Sequence, residues 1–308
     1  MSFAILIVVV AQALNAVVAL IDKYIVSTKK VPDPLYYAFL VSLLSAFSIF
    51  IFFFSFIPIP IPELSIPSFK NIEFFTTTIV TLSLVSGAAF FFALFGLFKA
   101  LRNTDASDVI PIVGSVSALF ALPLGYYLFD TRLSNTFLVG IFLLIIGSFV
   151  LSHYRFKKGV LLTAIMSGLF FALHFISLKL LFETTNFDNA FFWSRMGIVV
   201  AALVFFIPRW NFCRACYVGS TKGSNVLIVG NKILAGIASF LIIKAIDLSN
   251  VALVQSLGGL QFVFLLIIGV SMGRFLPPAC GENQRGQYKI QKTVAVSMLV
   301  SGFLFLFL

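Results

Sequence analysis

Residues 99–125 read KALRNTDASDVIPIVGSVSALFALPLG, and residues 244–269 read KAIDLSNVALVQSLGGLQFVFLLIIG. The two stretches carry the same landmarks in the same order. An offset of 145 brings Lys99-Ala100 onto Lys244-Ala245, and an offset of 144 brings Gly114, Phe120, Leu122 and Gly125 onto Gly258, Phe264, Leu266 and Gly269. Working outward, an offset of 156 brings Lys23 onto Lys179, Asp33 onto Asn189 and Tyr36-Tyr37 onto Phe192-Trp193. An offset of 155 brings Leu144, Gly147 and Leu151 onto Leu299, Gly302 and Leu306. Each match alone is weak in so apolar a chain. Their shared order, with the offset changing only at loops, argues for an internal repeat.

The composition says where such a chain can fold. Of 308 residues, 60% are hydrophobic and 10% are charged, with a mean hydropathy of +1.10. A soluble protein carries roughly 25% charged residues to solvate its surface. This chain lacks them and reads as an all-α integral membrane protein. A membrane span needs about 20 mostly apolar residues. Ten segments qualify: 2–21, 35–57, 75–98, 108–128, 136–152, 159–182, 189–207, 223–246, 250–272 and 292–308. Helices are expected over strands because each run is long and apolar all round, and each must satisfy its own backbone in lipid. The proline-rich residues 58–74 are expected as an extended spacer.

Each half then holds five spans: 1–152, a basic linker 153–158, and 159–308. Five is odd, so the second half enters the membrane from the opposite side. The expected architecture is two inverted five-helix repeats, a plan used by transporters that hold solute near the midplane between the halves. On the two quoted stretches, each followed by a short closing span with a central glycine (LLIIGSFVL and MLVSGFLFL), the chain resembles the EamA-type members of the drug/metabolite transporter superfamily. The resemblance covers nearly the whole chain. It departs at one point: the acidic residue usual after the fourth span of each repeat is Asp130 in the first half, whereas Arg274 stands there in the second. What the resemblance implies is movement of small organic solutes by alternating access, with the fifth and tenth spans at the periphery.

The net charge of +10 does not point to nucleic acid, because the basic residues sit in short loops between apolar spans. With alternate loops assigned to one side, the side of the termini holds four Lys/Arg and the other holds fifteen. The positive-inside rule then puts both termini outside the cytoplasm, in the cell membrane. Cys213 and Cys216 form a lone C-x-x-C pair, too few ligands for zinc. The first span lacks a basic n-region and a cleavage site and reads as retained. No cofactor or metal is expected. The expected partners are a small-molecule solute, the lipid bilayer and, in a homodimer, a second copy.

Within the spans, polar residues mark the candidate site. In LIVGNKILAG, residues 227–236, Lys232 lies ten residues after Lys222. That depth is about 15 Å, near the middle of a core about 30 Å thick. A lysine there costs roughly 2.5–3.5 kcal/mol on insertion scales. It reads either as an anion-binding group in a cavity or as a lysine in an internal ion pair. Asn231 points about 100° away, toward a helix–helix contact or the cavity. Arg195 and His174 are further candidates, with packing or ion-pair roles as the alternatives. Gln12, Asn15, Ala19 and Asp22 share one face of the first span, a polar stripe for cavity or packing. Gln255 and Gln261 are six residues apart, so on a regular helix only one of them lines the cavity. Asp105 and Asp108 open the fourth span, as helix-capping acids or, for Asp108, as a proton-coupling carboxylate.

With Lys232, Arg195 and His174 inside the membrane and no carboxylate expected at the midplane, the solute is expected to be anionic or zwitterionic and its transport uncoupled from protons. A flippase for a lipid-linked substrate is the alternative within the superfamily. An intramembrane enzyme needs a clustered catalytic set that the sequence lacks, and a membrane scaffold remains as a further class.

Overall fold

The computed structural model of the chain describes residues 2–28, 31, 33–56, 66–74, 76–104, 106–130, 134–152, 158–207 and 222–272, with 294–295, 297–298, 301–302 and 304–305. The linker 153–157, Asp105, Arg274 and the three cysteines lie outside the described residues. The architecture is all-helical. The helices are α1 (Ser2–Ser27), α2 (Pro34–Leu44), α3 (Thr77–Asn103), α4 (Ala106–Phe129), α5 (Asn135–Ser152), α6 (Lys158–Thr184) and α7 (Phe187–Phe206), followed by α8 (Lys222–Leu248), α9 (Val251–Ser256) and α10 (Gly259–Met272). Seven described segments are long and apolar enough to cross a membrane: 3–27, 34–54, 77–103, 108–129, 159–184, 187–206 and 226–248. Shorter apolar helices cover 138–147 and 251–265. The chain is a multi-pass helical membrane protein.

The helix starts follow from local chemistry. Pro34 occupies the first position of α2, where its missing N–H costs nothing, after an extended Asp33. Thr76, Asn186 and Asn250 each turn a side-chain oxygen onto a backbone N–H of the following turn, at 3.3, 2.8 and 2.8 Å. Asp130 ends α4 with φ 45°, a left-handed conformation that Asp adopts more readily than most residues.

Two departures from regular helix stand out. The second span changes after Leu44 into a 3-10 helix, Ser45–Phe54. The ninth expected span is broken at Leu257–Gly258, where the N–H groups of Gly258, Leu260 and Gln261 bond three residues back instead of four, at 3.0–3.1 Å. The spacer departs from expectation in one detail. Phe69–Asn71 closes one 3-10 turn, because the Lys70 N–H bonds back to Ser68 Oγ and the N–H groups of Asn71 and Ile72 to backbone carbonyls.

The helices pack closely where they carry glycine. A Cβ on Gly87 of α3 would lie 2.2 Å from the carbonyl oxygen of Gly197 on α7, so these backbones touch. Gly114 of α4 faces Gly258: a Cβ there would lie 3.9 Å from the Gly258 carbonyl carbon. Gly302 packs on α5 against Gly140 and Leu144.

Candidate functional site

A cavity of about 240 Å³ lies among α1, α2, α3, α4, α6, α8, α9 and α10. The first helix lines it with Gln12, Asn15, Ala19 and Asp22, the whole stripe read from the sequence, together with Val18. The eighth lines it with Lys232, Ala235, Ser239 and Ile242, again one face at helical spacing. From the Asp22–Lys232 contact the cavity runs along both helices, toward Gln12 on one and Ile242 on the other. Ten residues at 1.5 Å each make either path about 15 Å long.

One end is a charge cluster. Lys232 Nζ lies 2.6 Å from Asp22 Oδ1. Asn231 Nδ2 donates to the same oxygen at 2.7 Å, and so does the Tyr37 hydroxyl. The ammonium also sits over the rings of Tyr37 and Phe98, at 4.9 and 5.5 Å from their centroids. Lys232 is thus in an internal ion pair while it lines the cavity. The expectation that no carboxylate lies at its depth is corrected. The first helix continues to Ser27, past the expected end at residue 21, and carries Asp22 to the lysine. The ground for expecting transport uncoupled from protons falls with it. Asn231 bonds α1, with its Nδ2 also 3.4 Å from the Val18 carbonyl, and is not among the lining residues.

The other end is polar without being closed. His174 lines the cavity, and its Nδ1 lies 3.0 Å from the Ser86 carbonyl and 2.9 Å from Ser86 Oγ. A carbonyl only accepts, so its contact favours the tautomer with the hydrogen on Nδ1. Arg195 lies behind the lining: its Nη2 donates to Ser239 Oγ at 3.4 Å and its guanidinium stacks 5.0 Å from the Phe191 ring. Gln255 accepts from Ser117 Oγ at 3.0 Å, and Gln261 Nε2 donates to the Asn15 carbonyl at 3.0 Å.

Both glutamines line the cavity, which corrects the expectation that only one does. Six residues of regular helix separate side chains by about 240°. The 3-10 bonds at Leu257–Gly258 tighten the turn between them and remove that separation. Asp108 is buried in the first turn of α4 and does not line the cavity. Sequence reasoning passed over Ser86, Ser117 and Tyr37. Serines and tyrosines are common in such spans, and only their partners distinguish these.

Away from the cavity, residues 66–74 are strapped onto the α6–α7 turn. Asp188 accepts from the Ser68 N–H at 3.1 Å and from Asn71 Nδ2 at 2.7 Å. Asn189 accepts from the Glu73 N–H at 3.2 Å, and Trp193 Nε1 donates to the Glu73 carbonyl at 3.3 Å.

Comparison with known proteins adds the fold. No family model matches the chain, and no curated protein matches it in sequence. Solved structures do match. One, a crystal structure described only as that of a protein, aligns over 99% of this chain and 96% of its own with a TM-score of 0.68 at 18% identity. The likeness is therefore end to end, and at that identity it is a likeness of fold alone.

Proposed function

We propose that this chain is a membrane carrier of the EamA-type ten-helix kind, moving a small polar solute, anionic or zwitterionic, by alternating access between two inverted five-helix halves. The observation that carries the proposal is the cavity. Helices from both sides of the linker build it, and they bring charged and amide side chains to a depth where their neighbours are apolar. A purely structural polar cluster closes on itself. Here Gln12, 6% exposed and lining the cavity, has no hydrogen-bond partner among the described residues.

The inverted halves draw support from residues paired by the sequence offsets. Lys23 donates to the carbonyls of Leu101 and Thr104, at 2.8 and 2.9 Å, where the third span ends. Its counterpart Lys179 donates to the Asp247 carbonyl at 3.2 Å, where the eighth ends. Gly114 and its counterpart Gly258 meet each other. Besides the contacts in the cavity wall, Ser86 with His174, Ser117 with Gln255 and Gln261 with Asn15, two sets of bonds tie the halves together: the Asp22 cluster, and the strap from residues 66–74 to α7. Alternating access requires these to open in turn, each exposing the cavity to one side.

Reconstitution into liposomes tests the reading. Saturable, counterflow-competent uptake of labelled organic acids or zwitterions is the expected result. Folded protein that moves none of a broad panel of either class overturns it.

A further inference from the structure

Arg195 is a buried cation to which the described residues supply no carboxylate. It is 3% exposed, its one hydrogen bond among the described residues, to Ser239, is long, and its Nε makes none there. Lys232, the other cation at the cavity, is balanced by Asp22. Among the described residues one positive charge is therefore left over, at the end away from the ion pair. An uncompensated charge at such depth is costly, and an anion brought by the solute would relieve that cost.

Hydrogen-bond donors are spare at the same end. Gln12 has no partner among the described residues. Gln255 gives its Oε1 to Ser117, which leaves its N–H groups. Ser239 accepts from Arg195, which leaves its O–H to donate toward the cavity it lines. The walls here are aromatic. Phe90 and Phe175 each lie 4.9 Å from the His174 ring, and Phe171 lies beside both.

We propose that this end of the cavity binds one carboxylate carried on an apolar body about the size of an aromatic ring. Gln12, Gln255 and Ser239 donate to the carboxylate, and Arg195 supplies the countercharge through Ser239. A dianion would exceed the single spare charge, and a cation would add to it. The inference rests on the reading of the cavity as a solute site and narrows the solute to a monocarboxylate.

Three probes share one body and differ in charge: 3-phenylpropionate, 3-phenylpropionamide and 3-phenylpropylamine. Equilibrium binding to the purified full chain in lipid nanodiscs, with melting temperature alongside, separates them. The acid is expected to bind about tenfold or more tightly than the amide or the amine, a difference of roughly 1.4 kcal/mol. Arg195→Gln should erase that preference and Arg195→Lys should keep part of it. Ser239→Ala should weaken the acid several-fold and leave the amide unchanged. Equal binding of the three probes, no binding of the acid, or an intact acid preference in Arg195→Gln overturns the proposal. Should Arg195→Gln fail to fold, Ser239→Ala and Gln12→Leu decide, and undiminished acid preference in both has the same force. The carrier reading fails differently: the acid binds selectively and liposomes take up none of it. If liposomes take up other solutes while the acid goes unbound, the carboxylate site fails and the carrier stands.

Discussion

Lys232 and Asp22 stand 210 residues apart in sequence and 2.6 Å apart in space, and their side chains are 7% and 8% exposed. Each removes the largest cost of burying the other. Asn231 and Tyr37 hold the carboxylate from two further sides. A buried pair of this kind adds little net stability over an apolar replacement, but breaking it strands a charge and costs roughly 3–5 kcal/mol.

Lys232→Gln is therefore expected to lower the melting temperature, because Asp22 loses its counter-ion. Asp22→Asn should do the same. The double variant should recover most of the loss, since two amides leave no charge behind. A thermal-melt cycle over the four proteins measures the coupling. An unpaired, purely solute-binding Lys232 predicts the reverse, a Gln variant as stable as the parent that has lost affinity.

Seven long apolar helices and the polar face of the first were legible in the sequence, because both depend only on local period and burial. The Asp22–Lys232 pairing was not. It depends on how α1 and α8 pack, and on α1 running six residues past the point where its apolar run ends. That Gln255 and Gln261 both line the cavity escaped for another reason. A uniform helical period was assumed across Leu257–Gly258, where the backbone tightens. Arg195 was visible as an intramembrane cation, but that no described residue gives it a carboxylate emerged only from its neighbours.

Glycine substitutions should separate contact from mere proximity. In Gly87→Ala the new methyl would meet the backbone of Gly197 at 2.2 Å, and backbone cannot swing aside. Overpacking of this kind costs about 1–3 kcal/mol or more. Gly114→Ala meets Gly258 at 3.9 Å, an ordinary contact, and should be nearly silent in stability. Similar melting temperatures for the two variants would show that α3 and α7 do not touch as described.

Lys23 and Lys179 offer a comparison between the halves. Lys23 is buried and bonds two carbonyls at the end of α3, whereas Lys179 bonds one and shares its charge with the more exposed Glu183 at 3.1 Å. Hydrogen bonds to charged groups contribute about 1.5–3 kcal/mol each. Lys23→Met should lower the melting temperature clearly more than Lys179→Met. The opposite order would sink the capping assignment.

Asp188 holds two of the bonds that fasten the strap over residues 66–74. Asp188→Ala removes the acceptor for the Ser68 N–H and for Asn71 Nδ2. It should speed tryptic cleavage after Lys70, because an exposed backbone freed of its bonds enters a protease more readily. The melting temperature of the helices should change little. Cleavage at the parental rate would show that other contacts hold the loop.

The last prediction concerns orientation. The side of the termini holds four Lys/Arg and the other fifteen. Lys23 and Lys179 must be set aside, because each is spent on helix-end carbonyls and is not a free loop charge. One falls on each side, which leaves three against fourteen. The bias survives, so the basic side should face the cytoplasm and both termini of the chain the exterior. In intact cells, an impermeant thiol reagent should then label a cysteine introduced next to either terminus. Native Cys213 and Cys216, in the loop between α7 and α8, should react only after permeabilisation. External trypsin should reach Lys70 in the same cells. Labelling of both termini only after permeabilisation would reverse the orientation and leave the two halves intact. Labelling of one terminus but not the other would leave an odd number of crossings, and two inverted five-helix halves cannot produce that.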